Sequence, residues 1–298
     1  MDHINLRFVG LSKNCFDSLE KNISFIKEFK EKSTFEIETV IIDSDSTDGT
    51  KEYCRDLLKY GVIESFLEID NLSDAYSSRI ERLTYCRNAG LKEIQKTYKN
   101  PIIYIPMDMD LDLFDLMSNS KLEDLIYFFM NQEKIDCLLP FSTPYYYDIF
   151  ALRKKGWVNG NALIKSYKLK KKYLLGSFLF NYIFIFRKQL SPESFKTDLI
   201  PIESGFGGMG IYKISDIDLL NNTYASDPNN IDFSTEHLAF NKNFININIL
   251  KSWNIKAPTE HIKYVTSTPA EKFIYILTTI KYDFLGLYNF LKRKRIED

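Results

Sequence analysis

The 298-residue chain has little histidine, cysteine or tryptophan: three, four and two residues respectively. Three histidines exclude a His-rich metal site and make each one worth following. Cys15, Cys54, Cys86 and Cys137 show no CxxC pairing. That spacing excludes a zinc ribbon and offers no disulfide framework, so the reduced thiols of a cytoplasmic protein are expected. An excess of one charge is missing as well. Lys and Arg number 39 against 40 Asp and Glu, a formal net charge of −1, and no nucleic-acid partner is expected. A long hydrophobic run is also lacking. The longest, YLLGSFLFNYIFIF at 173–186, is interrupted by Gly, Ser and Asn and falls short of the ~20 residues that a spanning helix needs. Its basic flanks leave room for a membrane-surface loop, but a buried strand pair is the plainer expectation. The opening MDHINLRFVGL has no basic segment followed by an apolar one, so no signal peptide is expected.

What is present is regular. Strands are expected at 4–11, 38–46, 62–69 and 101–108, and helices at 15–32, after TDGT, and at 73–98. Asp48 or Thr47 is placed to cap the second helix and Gly61 to stop it. Strands alternating with helices of this length predict βαβ units and a mostly parallel α/β sheet. The second half is less regular, with short strands, Gly, Pro and aromatics. The last segment, EKFIYILTTIKYDFLGLYNFLKRKRIED, reads as an amphipathic helix ending in KRKR. Its basic end suits a helix C-terminus, and the same composition would suit anionic lipid.

Ligands of open parallel sheets sit outside the carboxyl ends of the strands. Three polar clusters are expected there: GLSKN, DSDSTDGT and DMDLD. If the extended strand continued, Asp108, Asp110 and Asp112 would share one face while Met107, Met109 and Leu111 turned inward. Carboxylates so close raise one another's pKa unless a cation sits among them, and hard oxygens suit Mg²⁺ or Mn²⁺. The plainer alternative is an acidic strand facing solvent. Asp43, still inside the strand end of VIIDSDSTDGT, could accept from a pyrimidine imide or a guanine edge, whereas STDGT also reads as a helix cap.

These segments resemble the GT-A nucleotide-sugar glycosyltransferases. VIIDSDSTDGT looks like their strand-turn-helix opening, RIERLTYCRNAG (79–90) like their "R…L…ARNxG" helix, and MDMDLD like their metal-binding DxD. YYYDIFALR (145–153), GFGGMGIYK (205–213) and EHLAF (236–240) look closer to the capsule-associated mannosyltransferases of the fungal type and their bacterial relatives. The resemblance implies a Rossmann-like, mostly parallel sheet flanked by helices. Residues 1–112 would form the nucleotide-sugar half, 113–265 a continuous acceptor half, and 266–298 the amphipathic helix and basic tail.

Carried over residue by residue, the resemblance puts Asp43 on the base, with Leu11 and Ser12 beside it. Arg79, Arg82 or Arg87 would approach base or diphosphate, although Arg87 could equally hold its helix to the sheet. Asp108 and Asp110 would coordinate Mn²⁺ or Mg²⁺, and Asp112 would lie outside the minimal motif. Gly207 and Gly208 would let backbone approach the donor. Arg153 would reach sugar or phosphate, or else pair with Asp148. Glu236 would act as acceptor base, and His237 would act with it or complete the metal shell. His261 is a rival with weaker context, and His3 is incidental.

The function so implied is metal-dependent transfer of a sugar from a UDP- or GDP-linked donor to a glycan or glycolipid, in surface polysaccharide synthesis. It would occur in the cytoplasm or at the inner face of the membrane. The rivals are a sugar-1-phosphate nucleotidyltransferase, against which the lack of a GxGTRxxP-like segment counts, and a non-catalytic glycan-binding module with a degenerate site.

Overall fold

A computed structural model describes residues 4–99, 102–173, 176–214, 224–226 and 235–297, which leaves His3 outside the described set. Apolar runs become four adjacent strands: β1 (Asn5–Ser12), β2 (Glu36–Ser44), β3 (Ser65–Ile69) and β4 (Ile102–Asp108). β1 pairs in parallel with β2 and β4, and β2 with β3, so all four carboxyl ends emerge on one side. β5 (Cys137–Thr143), β6 (Leu199–Ile202), β7 (Ile211–Ile214) and β8 (Ile247–Lys256) extend the same sheet. Its order is β3-β2-β1-β4-β7-β5-β8-β6. β5 and β8 are parallel, while β7 and the edge strand β6 run antiparallel to their neighbours. The sheet is thus mostly parallel, as expected, and is continuous from the first half into the second.

Near-continuous apolar strands imply cover on both faces. On β1, Leu6 and Phe8 enter one core and Val9 and Leu11 the other. Helix α1 (Phe16–Lys32) buries Leu19, Ile23, Ile26 and Phe29, the spacing of one helical face. It is followed by α2 (Thr50–Lys59), α3 (Leu72–Ala75), α4 (Arg79–Gln95) and α5 (Asn119–Met130). On α4, a Cβ at Gly90 would stand 2.6 Å from Val9 Cγ1. The glycine of CRNAG therefore lets this helix lie close against β1.

Several expectations are corrected. The helix expected at 73–98 is two helices, because Tyr76 is extended and Ser78 Oγ accepts from Ile80 N at 3.2 Å to start α4. Neither Thr47 nor Asp48 is the N-cap of α2. Gly49, at φ 91°, takes that place, and Asp48 instead accepts from the N–H groups of Thr50 and Phe16 at 3.2 and 3.3 Å. Strand β4 stops at Asp108, so Asp108, Asp110 and Asp112 are not successive residues of one strand face. Around residues 173–186 the chain is helical, with α6 (Ala162–Tyr173) and α7 (Ser177–Phe184) in place of a strand pair, and α7 buries no residue. Gly176, at φ 91°, turns the chain into α7, whose aromatic rings pack on other helices rather than in a ladder. Among the described residues the other α-helices are α8 (His237–Asn241), α9 (Thr259–Thr266) and α10 (Pro269–Glu297).

Candidate active site

The three polar clusters at the strand ends are laced to one another. Asn14 N donates to Ser46 Oγ at 2.8 Å, and Asn14 Oδ1 accepts from Thr47 N at 2.7 Å. Met109 N donates to Leu11 O at 2.9 Å, and Ser18 Oγ to Met109 O at 2.8 Å. Loops that would otherwise be independent are therefore one unit.

Asp43 lies inside this unit. It is 0% exposed and accepts from Ser12 Oγ at 3.1 Å, from Ser46 N at 3.2 Å and from Ser46 Oγ. Burial pushes its carboxyl above the usual range, and the hydrogen bonds from Ser46 and Ser12 partly offset this. In this arrangement the carboxylate ties β1 to the turn after β2 and lines neither of the two cavities described below. The wall beside it is formed by Leu11, Ser12, Lys13 and Ser44.

The acidic run divides three ways. Asp108 is ion-paired to Arg87, and its N–H donates to Gly208 O at 2.8 Å. Asp112 pairs with Lys21 at 3.0 Å. Asp110 is exposed and has no ion pair among the described residues. Poor solvation in its setting, together with the Asp108 charge, raises its carboxyl, while Arg79 pulls the other way. Met107 and Met109 are both 0% exposed, whereas Leu111, expected to turn inward with them, is half-buried.

The arginines differ more than their sequence context suggested. Arg87 is buried beneath the site. It contacts Asp108, donates to Met107 O at 3.3 Å, lies 3.8 Å from Glu236 Oε1 and sits over the Phe206 ring at 4.8 Å. It therefore joins two carboxylates from behind rather than facing a donor. Desolvation disfavours its charge, but the fields of Asp108 and Glu236 outweigh this and raise its pKa. Arg153 is also buried, donating to Phe150 O at 2.8 Å and Leu152 O at 2.7 Å. It neither forms a salt bridge with Asp148 nor lines the cleft. Arg82 lines the cleft but donates to Tyr76 O at 2.6 Å and Ser77 O at 3.0 Å. Arg79, in the first turn of α4, is exposed and has no hydrogen bond or ion pair among the described residues.

From the second half, Gly207 and Gly208 turn the chain at φ 79° and 94°. A Cβ on Gly208 would meet Leu111 Cδ1 at 2.4 Å, so this backbone packs directly on the acidic loop. Gly207 N donates to Asp148 Oδ2 at 2.9 Å. Asp148 went unassigned in the sequence reading except as a partner for Arg153, yet it lines the cleft, and burial raises its carboxyl. Its place in YYYDIFALR was the signal available. Glu236 is buried and its carboxyl is raised by desolvation, against the pull of Arg87. His237 stacks on Phe206 at 3.7 Å with Nε2 3.4 Å from Glu236, and burial holds its pKa well below the ordinary value. His261 is exposed on the same cleft and stacks on Tyr147 at 5.5 Å.

Two cavities result. One, of about 280 Å³, is lined by Leu11, Ser12, Lys13, Ser44, Arg82 and Cys86. The other, of about 360 Å³, is lined by Tyr147, Asp148, Gly208, Glu236, His237 and His261. Arg79, Leu83, Asp108 and Asp110 line both.

Among the described residues, no three His, Cys, Asp or Glu side chains gather into a metal-holding group, and His237 Nε2 faces Glu236. Two hard carboxylates alone fit a cation that takes its other ligands from water and phosphate, the usual habit of Mg²⁺. The raised Asp110 carboxyl beside Asp108 is the electrostatic condition that a cation relieves.

No family model matches the chain, and no curated protein matches it. Solved structures do. With S. aureus TarS 1–349 the chain shares 15% identity over 88% of its length at a TM-score of 0.42, and it spans only 62% of that structure. With mannosyl-3-phosphoglycerate synthase from Rubrobacter xylanophilus it shares 12% identity, covering 98% of this chain and 74% of that one at a TM-score of 0.38. Glucosyl-3-phosphoglycerate synthase from Mycobacterium tuberculosis, solved with Mn²⁺, UDP and glucosyl-3-phosphoglycerate, is similar at 14% identity, 95% and 79% coverage, and a TM-score of 0.39. These likenesses assign no role to any residue of this chain.

Proposed function

We propose that the chain is a glycosyltransferase that moves a sugar from a UDP- or GDP-linked donor to a glycan or glycolipid acceptor. The observation that carries this is the wall shared by the two cavities. A nucleoside in the smaller cavity and a sugar with its acceptor in the larger one would place the diphosphate between them. That is where Asp108, Asp110 and the unpaired Arg79 stand.

Arg79 would pair with phosphate oxygens through its planar fork. Asp108 and Asp110 would hold Mn²⁺ or Mg²⁺, and a bound cation would supply charge neutralisation at the departing diphosphate. Arg87 holds Asp108 and Glu236 in place from beneath. Glu236 is the acceptor base in this reading, because a carboxyl raised by burial is a better proton acceptor at neutral pH. Asp148, which lines the same cavity and is also raised, is its competitor. His237, held neutral, orients Glu236. Asp43 would reach the base only with a change in the turn that now encloses it.

Thermal-shift titration with UDP- and GDP-sugars, with and without Mn²⁺, tests the reading. Stabilisation that needs both nucleotide and Mn²⁺, and that disappears in Asp110→Asn, is expected. If no nucleoside diphosphate responds, or if Asp110→Asn responds as the parent does, the shared wall is not a donor site.

A further inference from the structure

The outer face of α10 is the reverse of an ordinary surface helix. Over residues 272–283 the partly shielded positions are Lys272, Ile276, Thr279 and Asp283, one helical face. Asp283 accepts from the backbone N–H groups of Gly176 and Ser177, both at 2.9 Å, where α7 begins. Facing outward are Phe273, Ile274, Leu277, Ile280, Phe284 and Leu285, with exposures from 41% to 61%. On the neighbouring α7, Leu179 and Tyr182 are exposed as well. Single exposed apolar residues are normal, but a contiguous face marks an interaction surface.

The two helices are firmly attached. Phe178 and Phe186 pack against Tyr264 of α9 and Tyr275 of α10, with Phe186 and Tyr264 stacked at 4.3 Å. The outward stripe is thus what remains after the aromatic contacts are made. Charge is sorted in the same way. Residues 162–189 carry seven Lys or Arg and no acidic residue, and residues 259–297 carry seven against four. Since the whole chain has a net charge of −1, the rest of the protein is acidic.

We propose that the α7–α10 face docks on a lipid bilayer with anionic headgroups. The apolar stripe enters the boundary between headgroups and acyl chains, and basic residues such as the exposed Lys168, Arg187 and Lys281 meet the headgroups. Among the described residues no helix is long and apolar enough to cross a membrane, so α10 lies along the surface for roughly 40 Å at 1.5 Å per residue. A second copy of the chain would also cover the stripe, but it would bring two basic sets together. An anionic bilayer supplies the opposite charge. The platform adjoins the cleft, since α9 carries both His261, on the cleft wall, and Tyr264, in the aromatic cluster. A lipid-linked acceptor follows from this adjacency only if the transferase reading holds; the docking itself does not depend on it.

Co-sedimentation of the full chain with vesicles tests the proposal. Binding to phosphatidylcholine vesicles containing phosphatidylglycerol is expected to exceed binding to phosphatidylcholine alone and to weaken with salt. The triple variant Phe273→Ser/Leu277→Ser/Phe284→Ser should lose affinity by about 100-fold. Lys168→Glu/Arg187→Glu, which leaves the stripe intact, should lose roughly tenfold or more. Failure to bind either vesicle, or equal binding by both variants and the parent, overturns the proposal. So does a dimer in solution that the triple variant converts to monomer, which would assign the face to a second copy.

Discussion

The strand-end cleft and the α7–α10 platform break the usual rule of burial in opposite directions. In the cleft, charged groups are inside: Arg87, Glu236 and Asp43 are buried, with Arg87 against Glu236 and Asp43 held by Ser12 and Ser46 in place of water. On the platform, apolar groups are outside while Lys272, Thr279 and Asp283 turn inward. Both arrangements cost folding stability relative to a conventional surface and core. The difference between them is in what removal should do. Deleting a buried charge leaves its partner unpaired, whereas deleting an exposed apolar group leaves nothing behind.

The largest expected effect tests that distinction directly. Arg87→Met should destabilise the fold by about 3–5 kcal/mol, because Asp108 and Glu236 lose their shared counter-charge, as read from urea unfolding. Adding Glu236→Gln should recover part of the loss. An Arg87→Met protein as stable as its parent would show that the buried charges are not mutually supporting.

Gly208→Ala comes next. At φ 94° and with a Cβ placed 2.4 Å from Leu111 Cδ1, an alanine should cost about 1–2 kcal/mol. It should also weaken donor binding by shifting the acidic loop, and an unchanged melting point and donor affinity would separate the loop from the site.

The buried thiols give a smaller effect, dependent on pH. Burial pushes Cys15 and Cys54 up to about 12 from 9.0. The folded state therefore retains protons that the unfolded state releases, so their contribution is complete below about pH 9 and declines as pH rises towards 12. Stability measured through that window should fall, and the four thiols should resist alkylation until the protein unfolds. Rapid alkylation of the native protein would contradict their burial.

The smallest effect belongs to the platform. Phe273→Ser removes a side chain that is 59% exposed and should change stability by no more than about 0.5 kcal/mol. A larger loss would mean that Phe273 packs against the body and that the two regions are less different than the exposures indicate.

Local pattern made much of the first half legible. β1, β2, β4 and α1 follow from alternation and helical spacing within a few residues of their bounds, because those signals are written in neighbouring residues. The run at 173–186 was misread because a short apolar stretch has no period that separates a strand from a helix. Gly176 starts the helix, and the rings of Tyr264 and Tyr275 that pack against Phe178 lie roughly 90 residues further along.

The site was legible in the same uneven way. Leu11, Ser12, Arg79, Asp108 and Asp110 do share cleft walls, since strand ends of a parallel sheet must meet there. For Arg87 the sequence left donor contact and a structural role equally open, and the seating of α4 on the sheet turned it inward and left Arg79 exposed. Asp148 reaches the cleft from a loop and His261 from α9, and no local signal predicts where either segment is placed in space.

The sequence by itself determined that a mostly parallel sheet would form and that polar segments would crowd its carboxyl edge, because strand, turn and helix preferences act over short distances. Which carboxylate is paired, which is enclosed and which stands open was decided only by tertiary structure. Asp112 meets Lys21, Asp43 meets Ser12 and Ser46, and Asp108 meets Arg87. Asp110 is left on the wall between two cavities, since a charge's partners depend on distances in space that chain separation does not set.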